Sequence, residues 1–121
     1  MIGEPVLLTV RKKFPRPEPA HIEALGGVPT GFIVDSQNGT GALGYRIKPL
    51  TNGMSITGVA MTAQAEPRHK LPVQPAIALP SPGDVLVIST AGYDGAAIIG
   101  DNVAVMAKNK GLAAVVTDGL V

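Results

Sequence analysis

The stretch from Pro82 to Gly119 limits the possible folds more than any other part of the chain. Val85-Leu86-Val87-Ile88-Ser89 is a continuous apolar, β-branched run introduced by Pro80-Ser81-Pro82-Gly83-Asp84, the pattern of a strand buried on both faces. A glycine-rich loop follows, Thr90-Ala91-Gly92-Tyr93-Asp94-Gly95. The spacing then predicts a helix over about Gly100 to Lys110, with Ile99, Val103, Met106 and Ala107 along one stripe. Gly111 supplies its C-cap, and Lys108 and Lys110 fall in the last turn, where the helix dipole favours cations. Ala113 to Thr117 reads as another buried strand and Asp118-Gly119 as a turn. Strand, loop, helix and strand in this order form a βαβ unit, a parallel pair joined by a right-handed crossover. The expected class is α/β.

Upstream the pattern is looser. Phe14-Pro15-Arg16-Pro17-Glu18-Pro19 cannot be regular structure, because alternate prolines remove donors and force extended backbone. Residues 1–19 therefore read as an arm and 20–121 as one domain. His21 to Leu25 predicts one or two helical turns ended by Gly26-Gly27. A second short helix opens at Pro29-Thr30 and runs through Ser36, before the loop Gln37 to Gly41. Ser55 to Ala63 reads as a strand: Ile56, Gly58, Ala60 and Thr62 share one face, Thr57, Val59, Met61 and Ala63 the other. Both faces are small or apolar, which predicts cover on both sides. Ala65 to Leu71 is a polar connection carrying Glu66, Arg68, His69 and Lys70, and Ala76 to Leu79 a short apolar element.

Composition closes off several function classes. Ten basic and nine acidic residues give a net charge of +1, so there is no basic patch for phosphates. With two Tyr, two Phe and no Trp, stacking platforms for bases are scarce as well. Nucleic acid is not an expected partner. The absence of cysteine removes disulfide scaffolds, thiolate metal sites and thiol nucleophiles together. No apolar run is long enough to span a membrane, and Met1 to Val10 lacks a basic start and a long apolar stretch. Neither membrane association nor a signal peptide is expected, and a cytoplasmic location is.

The loop between the buried strand and the helix is where chemistry can sit. Its backbone N–H groups lie at the positive end of a helix dipole, a place that suits a carboxylate as readily as a phosphate. It is neither G-x-G-x-x-G nor a P-loop, since no Lys-Ser/Thr pair follows. Its glycines serve tight turning and close packing equally well. Asp101 has two readings: an acid in the first helical turn that stabilises the dipole, or a carboxylate beside an anion site that orders a metal's water or a proton. Asp35 is either a helix residue or a site group. His21 and His69 read as solvated side chains, and Lys108 and Lys110 as dipole partners, since nothing around them argues for a lowered pKa.

Pro82-Gly83-Asp84-Val85-Leu86-Val87-Ile88, the later Gly100-Asp101, and Ala113-Ala114-Val115-Val116-Thr117-Asp118-Gly119 together resemble the RraA-like family. That family includes 4-hydroxy-4-methyl-2-oxoglutarate aldolases and the regulator of ribonuclease activity. Ile47-Lys48-Pro49-Leu50 and Gly58-Val59-Ala60-Met61-Thr62 are similar to its I-x-P-L and G-x-A-x-T stretches, and the resemblance runs from about residue 20 onward. It implies a three-layer β/β/α swivelling domain assembled as a homotrimer or hexamer, with sites between subunits. It implies a class II pyruvate aldolase-type lyase acting on α-keto acids, with oxaloacetate decarboxylation alongside. The cofactor so implied is a divalent metal, Mg²⁺ or Mn²⁺, which neutralises the enolate oxygen as the C–C bond breaks. Carried over by position, the backbone at Gly95, Ile98, Ile99 and Gly100 binds the pyruvate carboxylate. Asp101 becomes the catalytic acidic residue that hydrogen-bonds metal-bound water.

The family pattern continues D-G-x-x with an Arg for substrate and an Asp for metal, whereas this sequence reads Asp118-Gly119-Leu120-Val121. The expectation is the N-terminal portion of the domain, truncated before the Arg-Asp pair and not catalytic by itself. Two other classes stay open: a regulatory protein acting by protein–protein contact, and an α/β metabolite-binding domain without turnover. A methyltransferase fits less well, because the loop after the strand lacks G-x-G and no suitable acid ends the next strand.

Overall fold

A computed structural model describes residues 9–65 and 73–121. Three parallel strands form its sheet, β1 (Ala60–Gln64), β2 (Val85–Ser89) and β3 (Ala114–Thr117), in the spatial order β1-β2-β3. Before them come two short helices, α1 (Pro19–Leu25) and α2 (Thr30–Ser36). The crossovers are α3 (Val73–Ala78), between β1 and β2, and α4 (Asp101–Lys110), between β2 and β3. Successive crossovers running in one direction across a sheet place their helices on the same face, and α3 and α4 do touch. The α/β class with a parallel βαβ unit is as the sequence predicted. The connection Glu66 to Pro72, with His69, lies outside the described residues.

The register explains where the core sits. Met61 pairs with Leu86 and Ala63 with Ile88, while Leu86 pairs with Val115, so these side chains share one face. On that face they join Val73 and Ile77 of α3 and Ile98 and Ile99 of the loop, with Val103 of α4 packed against them. Burial of Leu86 and Ile88 is essentially complete. Each such side chain stabilises the fold by roughly 1.5–3 kcal/mol relative to exposure.

Four expectations need correcting. The first strand spans Ala60–Gln64 rather than starting at Ser55, and it is covered on one side only, with Ala60, Thr62 and Gln64 exposed. Its small residues permit burial but do not enforce it, and within the described residues no element covers that face. β3 is half-buried throughout, not fully buried, because it lies at the sheet edge. Met106, placed on the inner stripe of α4, is exposed. Of the Ala76–Leu79 element, Ala76 to Ala78 close α3 and Leu79 follows just beyond it.

The remaining helices follow their signals. α1 begins at Pro19, two residues earlier than the sequence suggested, since a proline at the first position gives up an N–H that has no helical partner anyway. α2 has the expected bounds, but neither short helix buries a residue. Gly111 ends α4 in the left-handed conformation at φ 83°, which lets its N–H and that of Leu112 cap the last turn. Among the described residues no helix is long and apolar enough to cross a membrane.

Candidate functional site

Parallel strands bring their C-terminal ends to one edge, and in open α/β sheets that edge is where ligands bind. Ile88 of β2 is level with Thr117 of β3, so the residues just beyond each strand meet. Thr90 and Asp118 are those residues. Asp118 Oδ1 accepts the Thr90 N–H at 2.6 Å and the Thr90 hydroxyl at 2.9 Å, and Oδ2 accepts the Gly92 N–H at 3.0 Å. The Thr90 backbone N–H is the main reason the Asp118 carboxyl lies below its ordinary value of 3.8. Some loss of hydration opposes this although Asp118 is exposed, and the Thr90 hydroxyl and Gly92 N–H reinforce it.

Between the two bonded residues sits Ala91 at φ 55°, followed by Gly92 at φ 74°. Glycine adopts that region freely, but for alanine it costs about 1–2 kcal/mol. The Thr90 carbonyl accepts the Tyr93 N–H at 3.2 Å and closes the turn. Gly119 packs against the same threonine: a Cβ there would lie 2.8 Å from Thr90 Cγ2. Its N–H donates to the Thr117 hydroxyl at 3.0 Å. The Asp-Gly pair thus holds the preceding loop, a role beyond the simple turn read from the sequence.

The predicted carboxylate-binding residues follow. Gly95 is exposed, and a side chain on it would overlap the Tyr93 ring. Ile98 and Ile99 are buried in the core, so their side chains do not face a ligand, and the Ile98 N–H is already engaged within the fold. The Ile98 N–H donates to the Leu120 carbonyl at 2.9 Å, beside a parallel bridge between Ala97 and Leu120. Gly100 is the N-cap of α4 and brings no side-chain cap of its own. Asp101 opens the helix, exposed, and its Oδ1 accepts the Asn102 N–H at 2.8 Å. That bond and the dipole account for an acid here on structural grounds, and the open helix start beside it is the feature a ligand carboxylate can use.

Other candidates lie elsewhere. His21 and Asp35 are on α1 and α2, outside the core. Lys108 and Lys110 occupy the last turn of α4, at the far end from Asp101. Asp84 of the Pro-Gly-Asp motif sits at the opposite end of β2, buried, where its Oδ2 accepts the Ser81 N–H at 2.8 Å and Oδ1 pairs with Arg16 of the arm. It shapes a turn and anchors the arm.

The implied divalent metal finds no donor set here. Among the described residues no three His, Asp or Glu side chains come together to hold an ion. Both oxygens of Asp118 are already engaged by Thr90 and Gly92, which leaves Asp101 as the acid at the helix start. One carboxylate does not make a Mg²⁺ or Mn²⁺ site.

Comparison with known proteins bears on this edge. The family model RraA-like, described as Aldolase/RraA, matches residues 30–121. The chain belongs to the RraA-like family. The match takes in the whole sheet, both crossover helices and the loop held by Asp118. A relative from Halalkalibacterium halodurans, named "Putative 4-hydroxy-4-methyl-2-oxoglutarate aldolase", is 40% identical over 94 residues, which cover 78% of this chain and 45% of the relative. An uncharacterized protein from Pseudomonas syringae pv. tomato has a crystal structure similar in fold, with a TM-score of 0.72 at 23% identity. That similarity covers 93% of this chain and 53% of the other. The chain spans about half the length of each of these two proteins.

Proposed function

We propose that this RraA-like chain supplies the carboxylate-binding edge of a lyase that cleaves 4-hydroxy-2-oxo acids of the 4-hydroxy-4-methyl-2-oxoglutarate type. Oxaloacetate decarboxylation is proposed as a companion activity. The observation that carries the reading is the start of α4, where Gly100 leaves the backbone unobstructed by a side chain, reached through a loop pinned by Asp118 at one end and by Leu120 at the other. Family membership and the name of the H. halodurans relative support the reaction class.

In this reading the carboxylate of the keto acid lies against backbone N–H groups at the start of α4, where the dipole favours an anion. Asp101 stands beside it to hold a water or move a proton. The chemistry breaks the bond between C3 and C4 as the 4-hydroxyl gives up its proton and becomes a carbonyl. The bond's electron pair passes into the 2-oxo group as a pyruvate enolate, which is then protonated at C3. The divalent cation, Mg²⁺ or Mn²⁺, belongs to the proposal with donors other than the described side chains. Assembly as a homotrimer or hexamer is part of the same proposal, supported by the family resemblance and by exposed Phe32, Tyr45 and Leu50.

The test is pyruvate release from 4-hydroxy-4-methyl-2-oxoglutarate by the intact protein, with and without Mg²⁺ or Mn²⁺, followed with a coupled dehydrogenase. Metal-stimulated release is expected, reduced about a hundredfold by Asp101→Asn. Unchanged turnover in that variant would remove Asp101 from the chemistry. No release under any condition would favour a regulator acting by protein contact.

A further inference from the structure

Asp118 touches no group that a ligand at the α4 start would contact directly, and both its oxygens are engaged. Its partners lie 26 and 28 residues earlier in the chain, on either side of Ala91. Ala91 and Gly92 hold positive φ angles of 55° and 74°, and an alanine stays in that region only when its surroundings over-determine it. Three hydrogen bonds from one carboxylate do so here. We propose that Asp118 is a positioning residue: by clamping Thr90-Ala91-Gly92 in a left-handed turn it sets the course of the loop that presents backbone N–H groups to a ligand carboxylate.

The inference rests on the carboxylate-binding reading of the α4 start. Two further features fit it. Gly119 leaves room for Thr90 where any Cβ would lie 2.8 Å from its methyl carbon, so the clamp can close. The Leu120 carbonyl takes the Ile98 N–H, so the segment that carries Asp118 also fixes the far end of the loop. Without the carboxylate, Ala91 is free to return to negative φ, and the loop leaves the strand in another direction.

The experiment uses the intact protein and oxalate as the probe, a small dicarboxylate that resembles the pyruvate enolate. Its Kd is measured by calorimetry beside amide hydrogen exchange resolved to residues 91–100. In Asp118→Asn the oxalate Kd is expected to rise about tenfold and exchange at 91–100 to quicken, with β1 and β2 unchanged. Adding Ala91→Gly, which removes the penalty for left-handed backbone, is expected to recover most of both losses. A role confined to stability predicts a lower Tm with unchanged Kd, and that result overturns the proposal, as does failure of Ala91→Gly to rescue. Should Asp118→Asn not fold, Thr90→Val keeps the β-branched shape and deletes one clamp bond, and the same directions apply to it. If the wild type does not bind oxalate, the carboxylate-binding reading falls. The clamp is then judged on loop exchange: quickened and rescued, it stands; unchanged, it is wrong.

Discussion

Replacing Gly119 by alanine would test the packing beneath the clamp. The added methyl would sit 2.8 Å from Thr90 Cγ2, 3.3 Å from Thr90 Oγ1 and 3.4 Å from Ile98 Cγ1. Thr90 is almost fully buried, and its hydroxyl is bonded to Asp118 at 2.9 Å, so it cannot rotate away without losing that bond. Overpacking of this kind costs about 1–3 kcal/mol, and the strained or lost hydrogen bond adds about 1 kcal/mol. We therefore expect Gly119→Ala to destabilise the protein by about 3 kcal/mol. Thr90→Ser deletes the offending methyl and keeps the hydroxyl, at the cost of a methyl-sized void worth about 1 kcal/mol. In the double variant the new methyl occupies the space of the old one, so the total should be about 1 kcal/mol rather than 4. Urea denaturation of the four proteins measures this coupling of about 3 kcal/mol directly. Additive losses would show that Gly119 and Thr90 do not share space, and the account of the Asp-Gly pair would be wrong.

Other outcomes follow from the same contacts. The Asp118 carboxyl has a lowered value in the folded protein, so the stability it contributes is complete above the ordinary value of 3.8 and is lost as pH falls through the lowered one. The Tm gap between wild type and Asp118→Asn should therefore narrow as pH drops from about 5 towards 2, and a gap that is flat or widening contradicts the hydrogen-bond origin of the shift. Arg16→Ala should cost about 1–2 kcal/mol, since Arg16 is 37% exposed but its partner Asp84 only 3%. It should also speed trypsin cleavage at Lys12 and Lys13, and equal cleavage rates would mean that the pair does not anchor the arm.

Much of the fold was legible because local and non-local signals agreed. The β2 run, α4 with its glycine C-cap, and the Pro29-Thr30 helix start each lie where the residues placed them. The misjudged elements are those whose burial depends on position in the sheet. Val115 and Val116 are as apolar as Val85 and Leu86, which are buried, yet β3 is half-exposed because it stands at the edge. Ala60 and Thr62 are small enough for either environment, so their alternation carried no information about cover. Around the candidate site, the place of Asp101 in the first turn of α4 and the glycine loop before it were legible from helix-start signals. Asp118 was not, because its partners are set by strand register across the βαβ unit and leave no local trace. The available signal was an acid directly after a strand predicted to lie parallel to one that ends in a glycine loop.

The two pins on that loop also bear on how such a domain can change its preferences over time. Thr90 and Gly92 are tied to Asp118, and Ile98 is tied to Leu120, so only Tyr93 to Ala97 lie between fixed points. Lengthening a loop between anchored ends costs little, since closure entropy grows only with the logarithm of its length. Insertions and substitutions at Asp94 or Ala96, both exposed, can therefore reshape what the edge accepts while the strands keep their register. The framework and the exposed stretch of the loop are separately adjustable, and if the proposed lyase reading holds, a library confined to those few positions is where selection for a different keto acid should begin.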